Sequence, residues 1–146
     1  MEFSSLKNLY RQVIMDHYKN PRNKGLIPSE AYYEIHLKNP TCGDDITVAV
    51  KVKDGKIEDI KHAGVGCSIC CSSASVMSCT LKNKTIDEAD LIIKNFYEIV
   101  KGNEYNESIN MGDAVVYEGV SQFPVRIKCA TIPWKALEQA LEATTK

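Results

Sequence analysis

The chain has 146 residues, the size of one ordinary domain with a single hydrophobic core. Its 18 basic and 19 acidic side chains are interspersed and give a formal net charge of -1, which argues against nucleic acid or an anionic membrane surface as a partner. The first residues lack the pattern of a signal peptide, and no long apolar run suggests a membrane span. We therefore expect a cytoplasmic protein.

Cysteine usage points to metal binding or thiol chemistry. The cytosol keeps thiols reduced, so the cysteines of a cytosolic chain serve these purposes more often than they form disulfides. Four of the six cysteines fall within one short segment, and these four cannot all bind a single ion. The six positions are Cys42, Cys67, Cys70, Cys71, Cys79 and Cys129.

The first predicted element is an amphipathic helix. Apolar residues recur with helical spacing between Ser5 and Asn20, and Pro21 ends the pattern. His17 lies on the apolar face of this helix, a position typical of a hydrogen-bonded core histidine.

Period-two alternation from Tyr32 to Gly66 predicts three antiparallel strands. Ile46 to Val52 form the clearest alternating set, and Asp54-Gly55 is a strong signal for a hairpin turn after it. We expect His36 and His62 to lie on the solvated face of the sheet or at its edge.

The stretch from Asn39 to Asp45, Asn-Pro-Thr-Cys-Gly-Asp-Asp, places a thiol and a carboxylate two residues apart. In extended backbone the side chains of Cys42 and Asp44 would point to the same face. Gly43 between them permits an unusual backbone dihedral. The same composition also suits a plain surface turn.

A second informative stretch, Gly64-Val65-Gly66-Cys67, leads from the third strand into a helix of small residues. Cys67 would lie near the helix N-terminus, where the dipole favours a thiolate. The neighbouring Cys67-x-x-Cys70 spacing leaves a thioredoxin-type redox pair as an alternative. Otherwise we expect three cysteines to be small buried apolar residues: Cys70, Cys71 and Cys79.

The rest of the chain is predicted to be mainly helical. Thr85 and Glu88 form a capping box for a helix that ends at Gly102, and residues 103–122 follow as a long irregular connection or a short helix. The last helical region begins near Pro124. Pro133 should kink or restart this helix just beyond Cys129.

Arg126 lies one helical turn before Cys129. From there it could reach a carboxylate such as Asp44. An ordinary exposed basic residue is the equally simple interpretation.

Three thiolates and one carboxylate from separate elements suit a tetrahedral zinc ion. These four residues are Cys42, Asp44, Cys67 and Cys129. The paired C-x-x-C knuckles of a structural zinc site are absent. The carboxylate ligand and the dispersed origins of the four residues favour a site with an exchangeable ligand over a closed structural one. Cys42, on the most mobile segment, would be the ligand that leaves.

The candidate cysteines lie in three motifs: Asn39 to Asp44, Gly64 to Ile69 followed by Ser73 to Ser75, and Arg126 to Ala130. In this order the motifs resemble those of the IscU-like iron–sulfur assembly proteins, and the N-terminal segment from Leu9 to Gly25 resembles theirs as well. Two features resemble the SufU branch of that family: Lys128 stands where the IscU scaffolds have histidine, and Cys67 and Cys129 are 62 residues apart (129 − 67 = 62).

The resemblance implies an α+β fold with an N-terminal helix, a three-stranded antiparallel sheet and a helical layer packed on one face. It implies one domain over residues 1–146, with a branch-specific insertion at about 103–122. It also implies Zn²⁺ held by the four residues above.

In function, the resemblance implies a zinc-dependent sulfurtransferase. Cys42 would take persulfide sulfur from a PLP-dependent cysteine desulfurase of the SufS type and pass it to downstream iron–sulfur assembly proteins. The alternative is a scaffold that assembles a [2Fe–2S] cluster or binds iron with the same ligands. Lys128 argues against the scaffold, because a protonated lysine has no lone pair for a metal. A purely structural zinc site without chemistry is a third possibility.

Overall fold

The computed structural model describes residues 3–144, with side chains from Lys7 onward. The order of its helices and strands confirms the expected α+β fold, in which an N-terminal helix precedes a three-stranded antiparallel sheet and a helical layer. The elements are α1 (Phe3–Lys19), β1 (Tyr33–Asn39), β2 (Asp44–Lys53), β3 (Lys56–Val65), α2 (Ser68–Leu81), α3 (Ile86–Lys101), a 3₁₀ helix (Gly112–Gln122) and α4 (Pro124–Thr144).

The sheet has the strand order β1-β2-β3. Asp54 and Gly55 join β2 to β3 with φ values of 54° and 74°, the left-handed pair that a type I′ hairpin turn needs. Alternate residues of β2 are buried, which confirms the face of this strand that the period-two pattern predicts to be buried. They are Ile46, Val48 and Val50.

His62 faces the protein core, so its expected place on the solvated face is wrong, whereas the alternative of a sheet edge is confirmed because β3 is an outer strand. It pairs with Val48 across the strands and is only 3% exposed. Its Nε2 donates a hydrogen bond to the carbonyl of Arg22 at 2.8 Å. His36 is exposed, as expected.

Helix α2 is the centre of the helical layer, because its small side chains are buried from Ser72 to Ser78. Trp134 Nε1 donates to Ser73 Oγ at 2.9 Å, and Ser73 Oγ donates to the carbonyl of Ala130 at 2.6 Å. These bonds join α2 to α4 on both sides of Pro133. Helix α4 is continuous from Pro124 to Thr144, so it does not restart at Pro133; the alternative of a kink there stays a prediction.

Helix α1 is attached to this layer through His17, which is buried as expected. Its Nδ1 lies 2.8 Å from Ser75 Oγ in α2, and its Nε2 lies 2.9 Å from Asp113 Oδ2 in the 3₁₀ helix. The 3₁₀ helix also buries Tyr117, whose hydroxyl lies 2.6 Å from Ser72 Oγ. The region 103–122 is thus packed into the core at its second half; its origin as a branch-specific insertion stays a prediction.

Helix α3 begins and ends where the sequence predicts. Thr85 Oγ1 accepts from the backbone N–H of Glu88 at 3.1 Å, and Glu88 Oε1 accepts from the backbone N–H of Thr85 at 3.0 Å. Gly102 closes the helix with φ 77°. Among residues 3–144, no helix combines the length and apolar character needed to cross a bilayer.

Candidate metal centre

The connection between β1 and β2 is a short turn that presents Cys42. Asn39, the last residue of β1, pairs with Asp44, the first residue of β2. Inside the turn the backbone N–H of Cys42 donates to the carbonyl of Asn39 at 3.2 Å. Gly43 has φ 70°, which a side chain would disfavour. The thiol of Cys42 therefore stands half-buried on a turn, while Asp44 is anchored in the sheet.

Three of the four predicted ligands converge at this end of the sheet. One ligand atom each from Cys42, Asp44 and Cys129 lies within 4.8 Å of the others. Asp44 and Cys129 are buried, and Cys42 is partly exposed. The three residues come from the start of β2, the turn before it and the second turn of α4.

Cys67 lies beside this cluster without being one of its three members. It is the N-cap residue of α2, as the sequence predicts, and its backbone N–H donates to Asp44 Oδ1 at 3.0 Å. Burial, together with Cys42, Asp44 and Cys67 around it, raises the pKa of the Cys129 thiol. The fourth predicted ligand is therefore adjacent to the cluster.

Asp44 is held by bonds to both oxygens. Oδ1 accepts from the Cys67 N–H, and Oδ2 accepts from Asn39 Nδ2 at 3.2 Å. Gly66 makes this approach possible, because a Cβ there would lie 2.5 Å from Asp44 Oδ1. The carboxylate has little freedom to rotate away from the thiols.

Arg126 is exposed and lies beside the thiols of Cys67 and Cys129, whose negative charge when ionised raises the pKa of the guanidinium. Asp44, the carboxylate that the sequence suggested for it, has Asn39 and Cys67 as its hydrogen-bond partners instead. Arg126 thus offers positive charge on the solvent side of the cluster.

The donor set fits a divalent metal. Two thiolates each about 2.3 Å from a tetrahedral zinc ion lie about 3.8 Å apart, so the observed cluster needs to contract only slightly. Burial, with the neighbouring acidic groups, raises the pKa of the Cys129 thiol, and a bound cation would favour the thiolate form instead. Thiolates with one carboxylate suit zinc, and thiolates also suit iron.

An open groove leads from the cluster to solvent. It is bordered by Cys42 and Cys67 on one side and by the start of α4 on the other, where Phe123 is 59% and Val125 is 53% exposed. The groove is lined by Thr41, Cys42, Cys67, Gln122, Phe123, Pro124, Val125 and Arg126.

The remaining cysteines differ from one another. Cys70 is fully buried, as expected, and burial raises the pKa of its thiol, which is unfavourable for a redox pair with Cys67. Cys71 is half-buried. Cys79 is exposed at the end of α2, so its expected burial is wrong; the elements that cover α2 do not extend over this position.

Neither Asn39 nor Gly66 is among the predicted site residues, although both lie within the quoted motifs. The signal for Asn39 was its place at the end of the first strand, where a four-residue connection pairs it with Asp44. Nothing in the sequence shows that Gly66 touches Asp44, because that contact depends on how the third strand leaves the sheet.

Fold and cluster together define a class of protein: a small α+β domain with cysteine and aspartate ligands gathered at one end of an antiparallel sheet. The family model for the NifU-like N-terminal domain matches residues 9–130, and the chain belongs to this family. A Bacillus subtilis protein named zinc-dependent sulfurtransferase SufU is 49% identical over 138 residues, covering 94% of this chain and 92% of that protein.

Two further relatives extend the comparison. A Streptococcus pyogenes protein named iron-sulfur cluster assembly scaffold protein IscU is 40% identical over 142 residues, covering 97% of this chain and 88% of its own length. The crystal structure of a Fervidobacterium islandicum protein described as an iron-sulfur cluster assembly scaffold protein for the SUF system superposes with a TM-score of 0.80 at 34% identity, covering 89% of this chain and 94% of that one.

Proposed function

We propose that this protein is a zinc-dependent sulfurtransferase that accepts persulfide sulfur from a PLP-dependent cysteine desulfurase and passes it on for iron–sulfur cluster assembly. The observation that carries the proposal is the cluster of Cys42, Asp44 and Cys129, with Cys42 on a turn that faces an open groove. The similarity to a protein named zinc-dependent sulfurtransferase supports it.

The proposed zinc ligands are Cys42, Asp44, Cys67 and Cys129. When bound, zinc keeps cysteine ligands deprotonated at neutral pH. Three of the four residues are held by regular structure: Asp44 begins β2, Cys67 caps α2 and Cys129 is buried in α4. Cys42 alone lies on a turn, so it is the ligand that can move with the least disturbance of the fold.

In the proposed transfer, the Cys42 thiolate attacks the outer sulfur of a cysteine persulfide on the desulfurase. A new sulfur–sulfur bond forms on Cys42, the bond within the donor persulfide breaks, and the donor cysteine leaves as a thiolate. No external oxidant or reductant is needed. Arg126 supports the step with positive charge near the reacting sulfurs, and the exposed Phe123 and Val125 offer an apolar rim for the partner.

Replacement of Cys42 tests the proposal. Cys42→Ala is expected to abolish both the stimulation of a cysteine desulfurase and the gain of one sulfur atom that mass spectrometry detects on the wild-type chain. Cys79→Ala is the matched control, because its thiol is exposed but lies outside the cluster, and it should behave as wild type. Undiminished stimulation by Cys42→Ala would overturn the role of Cys42.

A scaffold for a [2Fe–2S] cluster is the second candidate, favoured by relatives named as IscU scaffold proteins. Both functions would use the same ligands, so metal content separates them. Stoichiometric zinc without iron or labile sulfide in freshly purified protein supports the sulfurtransferase. A stable cluster that transfers to an apo-acceptor supports the scaffold.

A further inference from the structure

We propose that Asn39 is a positioning residue for the metal centre, whose side-chain amide holds Asp44 and Cys129 in place as ligands. The inference rests on the metal site of the proposed function and adds a residue outside the four proposed ligands. It assigns Asn39 to the two ligands that stay, and not to Cys42.

Asn39 is placed between the two ligands by the fold. It ends β1, directly opposite Asp44 in β2, and is only 9% exposed. Its Nδ2 lies 3.2 Å from Asp44 Oδ2 and 3.8 Å from Cys129 Sγ. One amide nitrogen therefore joins residues of two elements that are 85 positions apart in sequence (129 − 44 = 85).

The chemistry of the partners fixes the orientation of the amide. An ionised carboxylate accepts hydrogen bonds but cannot donate them, and the same is true of a thiolate. The amide oxygen facing Asp44 would therefore oppose two acceptors, whereas the NH₂ group has one hydrogen for each ligand. Hydrogen bonds to charged acceptors are stronger than neutral ones, and the shielding of Asn39 from water favours them further.

Cys42 is related to Asn39 in a different way. Its backbone N–H donates to the backbone carbonyl of Asn39, a bond that any side chain at position 39 preserves. The Asn39 side chain thus restrains Asp44 and Cys129 without restraining the thiol that is proposed to leave. A chain built this way keeps the rest of the site assembled when Cys42 moves.

Asn39→Leu tests the role, because leucine has a similar volume and no donor. Chelator competition should show zinc affinity weakened by about 10-fold to 100-fold, the usual effect of losing a hydrogen bond to a metal ligand. In the cobalt-substituted protein, the thiolate charge-transfer and d–d absorption bands should shift. Wild-type zinc affinity together with an unchanged cobalt spectrum would overturn the proposal.

Asn95→Leu is the matched control. Asn95 is 7% exposed and bonds with its side chain to the backbone N–H and carbonyl of Asn106, away from the metal centre. The Asn95→Leu variant should have a lower melting temperature than wild type but the same zinc affinity and cobalt spectrum. If Asn39→Leu does not fold, Asn39→Ala provides a smaller variant without a donor, and the same expectations apply.

The background of Cys42→Ala separates the two ways in which Asn39 could act. If the amide works through Asp44 and Cys129, Asn39→Leu weakens zinc binding by the same factor with or without Cys42. If it works through the turn that carries Cys42, the effect disappears in the Cys42→Ala background, and the assignment is overturned.

The outcomes distinguish this inference from the proposed function. If the wild-type chain binds no zinc, both the proposed function and the proposed role of Asn39 are wrong. If wild type binds zinc and Cys42→Ala abolishes desulfurase stimulation, but Asn39→Leu and Asn39→Ala bind zinc as wild type does, the function stands and only the role of Asn39 fails.

Discussion

Gly66→Ala offers a sharp test of how Asp44 is held. The added Cβ would lie 2.5 Å from Asp44 Oδ1 and 3.3 Å from Asp44 Cα. Ordinary contact between such atoms begins near 3.4 Å, so the oxygen must move by about 0.9 Å. The backbone of Gly66 is not in the left-handed region, so the cost comes from these contacts with Asp44 and not from backbone strain.

The size of the effect follows from what the displacement breaks. Oδ1 accepts from the Cys67 N–H at 3.0 Å, and a shift of about 0.9 Å takes the pair out of hydrogen-bond range. Overpacking of this kind costs about 1–3 kcal/mol of folding free energy. A loss of about 2 kcal/mol corresponds to a fall of about 4–8 °C in the melting temperature of a chain of this size. Zinc affinity should fall by at least about 10-fold, because the carboxylate loses its orientation.

Thermal unfolding of the metal-free protein and chelator competition for zinc measure the two effects separately. Gly119→Ala is the control, since a Cβ at Gly119 meets nothing within 4 Å and its φ is ordinary; it should change stability by less than about 1 kcal/mol and leave zinc affinity alone. A Gly66→Ala protein with wild-type zinc affinity would refute the idea that Gly66 keeps Asp44 in ligand position.

Two further predictions concern the fold. Burial lowers the pKa of His62 in the folded protein, so the unfolded chain binds the proton first as pH falls. His62 therefore does not reduce the free energy of unfolding above about pH 6.5, and it lowers that free energy progressively below this pH. His62→Gln, which can still donate to the Arg22 carbonyl but cannot titrate, should flatten the change in urea-unfolding free energy between pH 7 and pH 5, and an unchanged pH profile would contradict this. Thr85→Ala should lower the unfolding free energy by about 1 kcal/mol through loss of the capping box, with zinc content unchanged; an effect on zinc content instead would show that α3 influences the site.

Local signals in the sequence were sufficient where short-range chemistry decides the structure. Thr85 and Glu88 satisfy each other's backbone within four residues, and Asp54-Gly55 closes a hairpin by its own backbone preference. Cys67 follows a strand and precedes small residues, so its N-cap position could be predicted. None of these elements depends on a distant part of the chain.

The wrong face was predicted for His62 because the pairing of β2 with β3 is irregular. The register between β2 and β3 shifts between Lys51 and Val52, and Ile57 and Ile60, three residues apart, both face the core. Strict alternation continued from Ile57 would place His62 outside, whereas alternation from Ile60 places it inside. The periodicity of one strand cannot reveal such a shift, because it depends on the pairing of two strands.

The arrangement of the site could be predicted only in part for the same reason. Thiol and carboxylate chemistry indicated the four candidate ligands, but spacing in sequence cannot show that Asn39 faces both Asp44 and Cys129. That contact requires β1, β2 and α4 to meet. Cys79 was expected to be buried because free cysteines commonly are. It is exposed, and the residue type alone could not show this.

The contrast in how the ligands are held bears on the proposed mechanism. Asp44 is fixed at both oxygens, and Cys129 is buried in a helix that bonds to α2 through Ser73 and Trp134. Cys42 is half-buried on a turn, where its backbone N–H donates to the Asn39 carbonyl and the neighbouring Gly43 has φ 70°. Asp44 and Cys129 are thus held more firmly than Cys42, and this contrast supports the proposal that Cys42 is the thiol that leaves the metal and carries the sulfur. Variants at Asn39 and Gly66 should therefore damage metal retention before they damage the reactivity of the Cys42 thiol.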